Sequence, residues 1–247
     1  MLAPYILPAL GLAAATSAEP LKRALPPAFF LAGDSTTAPD GGWGDAFLAS
    51  LAEGATGTNF AASGATTSSF RADGHWDQLL AAVSENKEEY SPYVTIQFGH
   101  NDQKTEEGLA VMRDNLVKFD EEVRAAGGTS VFFTSLSRRN FNDVGDVVTD
   151  LSDVRNITIQ AAAEAQALYA DLNDHSRQWL NDIGEENAMT YNLEPDDHTH
   201  LNEAGGIVFA GLVGVLLKDL ESAFEPFITI DPKLVKAFEE GTYYYPE

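Results

Sequence analysis

The stretch Tyr93-Val94-Thr95-Ile96-Gln97-Phe98-Gly99-His100-Asn101-Asp102 passes from β-branched and aromatic residues, through a glycine, to three polar side chains. It reads as a buried strand that gives way to a loop carrying functional groups. Phe29-Phe30-Leu31-Ala32 does the same and runs into Gly33-Asp34-Ser35. Thr58-Asn59-Phe60-Ala61 is a weaker strand, and the Ser/Thr/Gly-rich loop after it contains Gly64. Thr129–Leu136 and Leu168–Leu172 supply a fourth and a fifth strand.

Between these strands the apolar spacing becomes helical. Trp43, Phe47, Leu48 and Leu51 mark one amphipathic helix, and Trp76, Leu79, Leu80 and Val83 mark a short one. Leu109, Met112, Leu116, Phe119 and Val123 keep the period until Gly127-Gly128 stops it. A further helix runs from Asp153, a candidate cap, to about Gln166, another lies near Trp179, and a last one spans Asn202 to Phe224. The tail from Pro226 reads as packed coil with one helical turn. Strands alternating with helices specify an α/β fold with a parallel sheet covered on both faces. Right-handed crossovers place the loops after the strands along one edge, so Ser35, Gly64 and Asn101 are expected there together.

Composition limits what such a site can serve. The 247 residues include 15 Lys and Arg against 38 Asp and Glu, a formal charge of −23. That field repels nucleic acid and anionic membrane surfaces, so neither is an expected partner. Cysteine is absent, which removes disulfides, cysteine nucleophiles and thiolate metal sites. The apolar run from Tyr5 to Ala15, followed by Thr16-Ser17-Ala18, reads as a signal peptide over residues 1–18. No linker divides residues 19–247, so one domain is expected, secreted and monomeric.

The polar residues at the strand ends suit ester chemistry. Ser35 can present a hydroxyl nucleophile, although Ser and Asp at such a turn also serve as plain helix caps. Asp197-His198-Thr199-His200 offers a base with its orienting carboxylate, because a three-residue separation on a tight loop lets Asp197 hold one nitrogen of His200. Asp196 with His198 is the competing pairing. The cluster can also be read as metal ligands, which would leave Ser35 unexplained. Gly64 can offer a bare N–H and Asn101 a side-chain amide to a developing oxyanion, though both types are common in turns. Asp102 is expected to brace the Asn101 loop. Trp43 and Trp76 suit either the core or a sugar cleft, and His75 and His175 suit helix surfaces.

Taken in order, Gly33-Asp34-Ser35-Thr36-Thr37, Asn59-x-Ala61 with Gly64, Phe98-Gly99-His100-Asn101-Asp102 and Asp197-His198-Thr199-His200 resemble the blocks of the SGNH (GDSL) hydrolases. Their wording is most similar to the rhamnogalacturonan acetylesterase branch, over about residues 28 to 224. The resemblance implies a flavodoxin-like three-layer α/β/α sandwich with about five strands. It further implies catalysis by Ser35, Asp197 and His200, with an oxyanion hole of Ser35, Gly64 and Asn101. No metal or organic cofactor is implied, and the substrate would be an acetylated plant cell-wall polysaccharide. A lipase or short-acyl esterase of the same superfamily is the alternative, and a non-catalytic carbohydrate-binding protein is the rival of another class. Many members of the branch carry Arg after the glycine, where this chain has Ala65-Thr66-Thr67, with Arg71 following later.

Overall fold

The computed structural model describes residues 25–246. The segment of residues 1–18, expected to be a signal peptide, lies outside the described residues. Five parallel strands form one sheet: β1 (Pro27–Gly33), β2 (Thr56–Asn59), β3 (Ser91–Gln97), β4 (Thr129–Phe133) and β5 (Leu168–Ala170), in the order β2-β1-β3-β4-β5. This is the flavodoxin-like order, in which the strand sequence reverses between β1 and β3, and open α/β sheets place their sites at that switch point.

Alternation along the strands divides the core into two halves. Phe29 and Leu31 of β1, with Val131 and Phe133 of β4, face one helical layer, and Ala28, Phe30, Ala32 and Phe132 face the other. The first layer contains α1 (Gly44–Ala49), α6 (Leu172–Met189), α7 (Glu203–Leu220) and α8 (Pro232–Glu240). The second contains α2 (Thr67–Ala72), α3 (His75–Asn86), α4 (Glu106–Ala126) and α5 (Ser152–Ala165). Trp43 and Trp76 are fully buried, one in each half, and belong to the core. Among the described residues no helix is long and apolar enough to cross a membrane.

The α/β class, the five strands and their parallel order follow the sequence pattern, and several boundaries are corrected. The loop expected after β2 contains α2. Thr66 Oγ1 accepts from Ser69 N–H and Ser69 Oγ accepts from Thr66 N–H, both at 3.0 Å, a capping box built from short polar residues that read as loop. The tail holds the nine-residue α8, not a single turn. Asp231 caps it through Lys233 N–H at 2.8 Å, Pro232 opens it, and Leu234 and Ala237 are buried. Asp153 lies inside the first turn of α5, and Leu151 stands at its cap position. β4 stops at Phe133, and α7 stops at Leu220 ahead of a separate 3-10 turn, Ser222–Phe224.

Candidate active site

The turn after β1 is fixed from beneath. Asp34 is fully buried, and its Oδ1 accepts from the Thr36 N–H at 3.0 Å and the Thr36 hydroxyl at 2.8 Å. The Gln97 amide donates to the same hydroxyl oxygen at 2.5 Å, and the Trp43 indole donates to Gln97 Oε1 at 3.0 Å. This buried chain crosses from β3 to α1 and leaves Ser35 little freedom. Burial raises the Asp34 carboxyl above the usual range, partly offset by the Thr36 bonds.

The hydroxyl of Ser35 meets His200 Nε2 at 2.8 Å, and His200 Nδ1 meets Asp197 Oδ2 at 2.8 Å. Asp197 Oδ1 is occupied as well, accepting from the N–H groups of Thr199 at 3.0 Å and His200 at 2.9 Å. Burial alone would raise Asp197. The His200 backbone and ring, then Thr199, outweigh it and hold the carboxyl below its ordinary range. An ionised carboxylate on Nδ1 sets the tautomer that leaves Nε2 free to take the serine proton. Asp197, not Asp196, is therefore the partner of His200. His198 instead turns to Asn140 Oδ1 at 2.8 Å, and Asp196 lines the cleft. Among the described residues no group of three or more His, Asp or Glu side chains is placed to hold a metal ion.

The loop carrying Asp197 and His200 hangs from a residue that the sequence pattern did not single out. Arg139 is fully buried, and its guanidinium donates to the His200 carbonyl at 2.5 Å, to Asn192 Oδ1 at 2.6 Å and to the Asp197 carbonyl at 3.4 Å. Its own N–H donates to the His198 carbonyl at 2.8 Å. Burial lowers its pKa to about 10, so it remains a cation. The loop is also tied to the Ser35 side, because the Leu201 N–H donates to the Gly41 carbonyl at 2.9 Å. The available signal was an Arg-Arg pair just beyond a strand, in a chain with only 15 basic residues.

The two remaining strand-end loops are joined to each other. Asn101 Nδ2 donates to the Ala65 carbonyl at 3.0 Å, and Asp102 Oδ1 accepts from Thr67 N–H at 2.9 Å and Thr67 Oγ1 at 2.7 Å. Asp102 thus braces the loop as expected. Gly64 precedes Ala65 at φ +78°, and a Cβ there would meet nothing within 4 Å, so the backbone conformation rather than crowding asks for glycine. Gly64 stands on an exposed turn beside the cleft-lining residues, not among them. Gly99, at φ +135°, is constrained twice, since a Cβ would also lie 2.5 Å from Ser135 Oγ. His100 is buried with Nε2 on the Leu136 carbonyl at 3.0 Å, and burial lowers its pKa to about 3, so it stays neutral.

Ser35, Asn101 and His200 open onto a cleft of about 810 Å³. Every side chain that lines it is polar, and Lys104, Arg138, Asn140 and Glu194 are among them. Arg138 pairs with Asp150 at 2.7 Å. Arg71 is elsewhere, paired with Glu122 at 2.8 Å and lying over the Phe119 ring, so it does not stand in for an arginine beside Gly64. His75 stacks on Phe70, and His175 Nδ1 meets the Asp171 carbonyl at 2.9 Å; neither lines the cleft.

A hydroxyl, an imidazole and a carboxylate in hydrogen-bonded sequence at the switch point of a parallel sheet suit nucleophilic acyl transfer, and the comparisons place the chain among the carboxylic ester hydrolases. Residues 31–206 match the GDSL-like Lipase/Acylhydrolase family, and the chain belongs to it. It is similar to rhamnogalacturonan acetylesterase RhgT of Bacillus subtilis (strain 168), 31% identical over 212 residues that cover 77% of this chain and 89% of the relative. It is also similar to the probable rhamnogalacturonan acetylesterase YesY of the same organism, 26% identical over 77% of this chain and 92% of the relative. In fold it resembles the Bacillus subtilis protein YXIM, with a TM-score of 0.69 at 24% identity. That match covers 83% of this chain, which spans only 59% of the solved protein. It also resembles Axe2, an acetylxylan esterase from Geobacillus stearothermophilus, with a TM-score of 0.56 at 14% identity over 81% of this chain and 95% of the other.

Proposed function

We propose that the protein is a serine esterase that removes O-acetyl groups from a plant cell-wall polysaccharide, with rhamnogalacturonan as the first substrate to test. The observation that carries this reading is the hydrogen-bonded series Ser35–His200–Asp197 opening onto a wholly polar cleft. Ser35 Oγ attacks the acetyl carbonyl carbon while His200 Nε2 takes the hydroxyl proton. The Ser35 and Gly64 N–H groups and the Asn101 amide receive the oxyanion. The bond between the acetyl carbonyl carbon and the sugar oxygen then breaks, and His200 returns its proton to that oxygen. Water, deprotonated by His200, attacks the acyl carbon; the bond from that carbon to Ser35 Oγ breaks, His200 returns the proton to Oγ, and acetate leaves.

The polar lining supports a carbohydrate over a long acyl chain, since no aliphatic or aromatic hydrocarbon side chain lines the cleft. The similarity to RhgT and YesY supports the pectic substrate. The four blocks all retain chemically competent residues, which favours an enzyme over a binding protein on the same fold. Secretion belongs to the same reading and rests on the apolar run of residues 5–15.

The test is acetate release from acetylated rhamnogalacturonan, homogalacturonan, xylan and p-nitrophenyl acetate, with native protein and Ser35→Ala. The expected result is release from rhamnogalacturonan faster than from the other polymers, abolished on all substrates by Ser35→Ala. Equal rates for both proteins would sink the serine mechanism, and a preference for xylan would move the substrate.

A further inference from the structure

The Asn101 carboxamide is held from both ends. Its Nδ2 donates to the Ala65 carbonyl at 3.0 Å, and its Oδ1 accepts from the Lys104 ammonium at 2.7 Å. A backbone carbonyl can only accept and an ammonium can only donate, so the two partners enforce the same orientation of the amide. Its nitrogen carries two hydrogens, and Ala65 uses one. The other is left for a ligand in the cleft that Asn101 lines.

Lys104 closes the short 3-10 turn Asp102–Lys104, and its own N–H donates to the Asn101 carbonyl at 3.1 Å. Backbone and side chain of one residue therefore grip the backbone and side chain of the other. Among the described residues no carboxylate pairs with this ammonium, so its hydrogen bond to the neutral amide is charge-assisted and not diluted by an acid. In a chain of net charge −23 that is unusual, because acids outnumber bases by more than two to one. A cation on the amide oxygen withdraws electron density from the nitrogen and strengthens its free N–H as a donor.

We propose that Lys104 is a positioning residue for the oxyanion hole: it orients the Asn101 carboxamide and strengthens its free N–H as charge develops on the substrate carbonyl. The proposal rests on the esterase reading above, in which Asn101 receives that charge. Lys104 touches the donor rather than the reacting atoms, so its effect belongs on turnover of any ester, charged or not.

The experiment measures kcat and KM on neutral p-nitrophenyl acetate for native protein, Lys104→Met, Lys104→Arg, Asn101→Ala and the Asn101→Ala/Lys104→Met double variant. Losing one oxyanion donor costs about 10²–10³ in kcat, and weakening one through its partner should cost about tenfold. Lys104→Met is expected to lower kcat by that amount with KM within about twofold, and Lys104→Arg, which restores a cationic donor, to recover most of it. In the Asn101→Ala background the Lys104→Met change should cost nothing further. The proposal is overturned if the full penalty persists without Asn101, or if Lys104→Met leaves p-nitrophenyl acetate untouched and raises only the KM of a uronate-bearing polymer. Ser35→Ala run alongside separates these outcomes from failure of the esterase reading, which native-level activity in that variant would signal.

Discussion

Asp102 Oδ1 accepts both the N–H and the hydroxyl of Thr67, at 2.9 and 2.7 Å, across 35 positions of sequence. The segment after β2, where Thr67 opens α2, and the loop after β3 are thereby one mechanical unit, joined through two buried side chains. Asn101 adds a parallel tie to the Ala65 carbonyl. Any group offered by residues 64–67 thus keeps a fixed distance from any group offered by Asn101.

That brace has a pH signature. Burial raises the Asp102 carboxyl above its ordinary value of 3.8, and the Thr67 bonds offset this only in part. A folded-state pKa above the unfolded one favours the folded protein at low pH, and the contribution is lost as pH rises through the raised value. Asp102→Asn does not titrate. The melting temperature of Asp102→Asn minus that of native protein should therefore increase from pH 4 to pH 7. Thermal melts by circular dichroism check it, and a difference that shrinks over that range contradicts the assignment.

The pairing within the Asp197-His198-Thr199-His200 loop can be read by substitution. Asp197→Asn keeps the shape but removes the acceptor that fixes the His200 tautomer, and the comparable change in a serine protease lowers kcat about 10⁴-fold. A loss of about 10³ or more is expected here, with the melting temperature changed far less. Asp196→Asn should leave kcat on p-nitrophenyl acetate within a few-fold, because Asp196 does not meet His200. The reverse ranking would reassign the base's partner.

Arg139 makes a separable prediction. Replacing it with Met leaves Asn192 Oδ1 without its buried guanidinium donor and the His200 carbonyl with only the Leu193 N–H, at a cost of about 2 kcal/mol. Denaturant titration should show that loss. Turnover should fall as well, since the His200 loop loses its principal anchor. Arg139→Lys keeps the charge but not the planar fork, and should recover less than half of the stability. Full recovery by lysine would mean that charge alone holds the loop.

Gly64→Ala isolates backbone conformation. A Cβ has open space there, yet a left-handed φ of +78° costs an L-residue about 1–2 kcal/mol. If the loop relaxes to relieve the strain, its N–H moves and kcat falls while KM holds. Stability lost with native kcat would remove Gly64 from the oxyanion hole.

Much of this was legible in the sequence because the same residues report on fold and site. Tyr93–Phe98 is β-branched and aromatic, closes on glycine and delivers Asn101, so one stretch fixes a strand, an edge and a candidate donor. Asp197 and His200 were readable from spacing alone. What stayed hidden depended on contacts distant in sequence. Arg139 acts through the Asn192 side chain and the His200 carbonyl, 53 and 61 positions away, and the Arg-Arg pair beyond β4 does not point to either. Lys104 is one of 15 basic residues, and nothing in the sequence ties it to the Asn101 amide that it grips. The α2 and α8 helices were missed for a local reason: short polar caps and an Asp-Pro start resemble loop until their hydrogen bonds are seen.

The sheet is complete by Ala170, yet His200 lies 165 positions beyond Ser35. All five strands and Ser35 are thus encoded ahead of the imidazole, which arrives on a loop that belongs to no strand. A truncated chain ending ahead of residue 197 would keep the sheet residues and hydrolyse nothing.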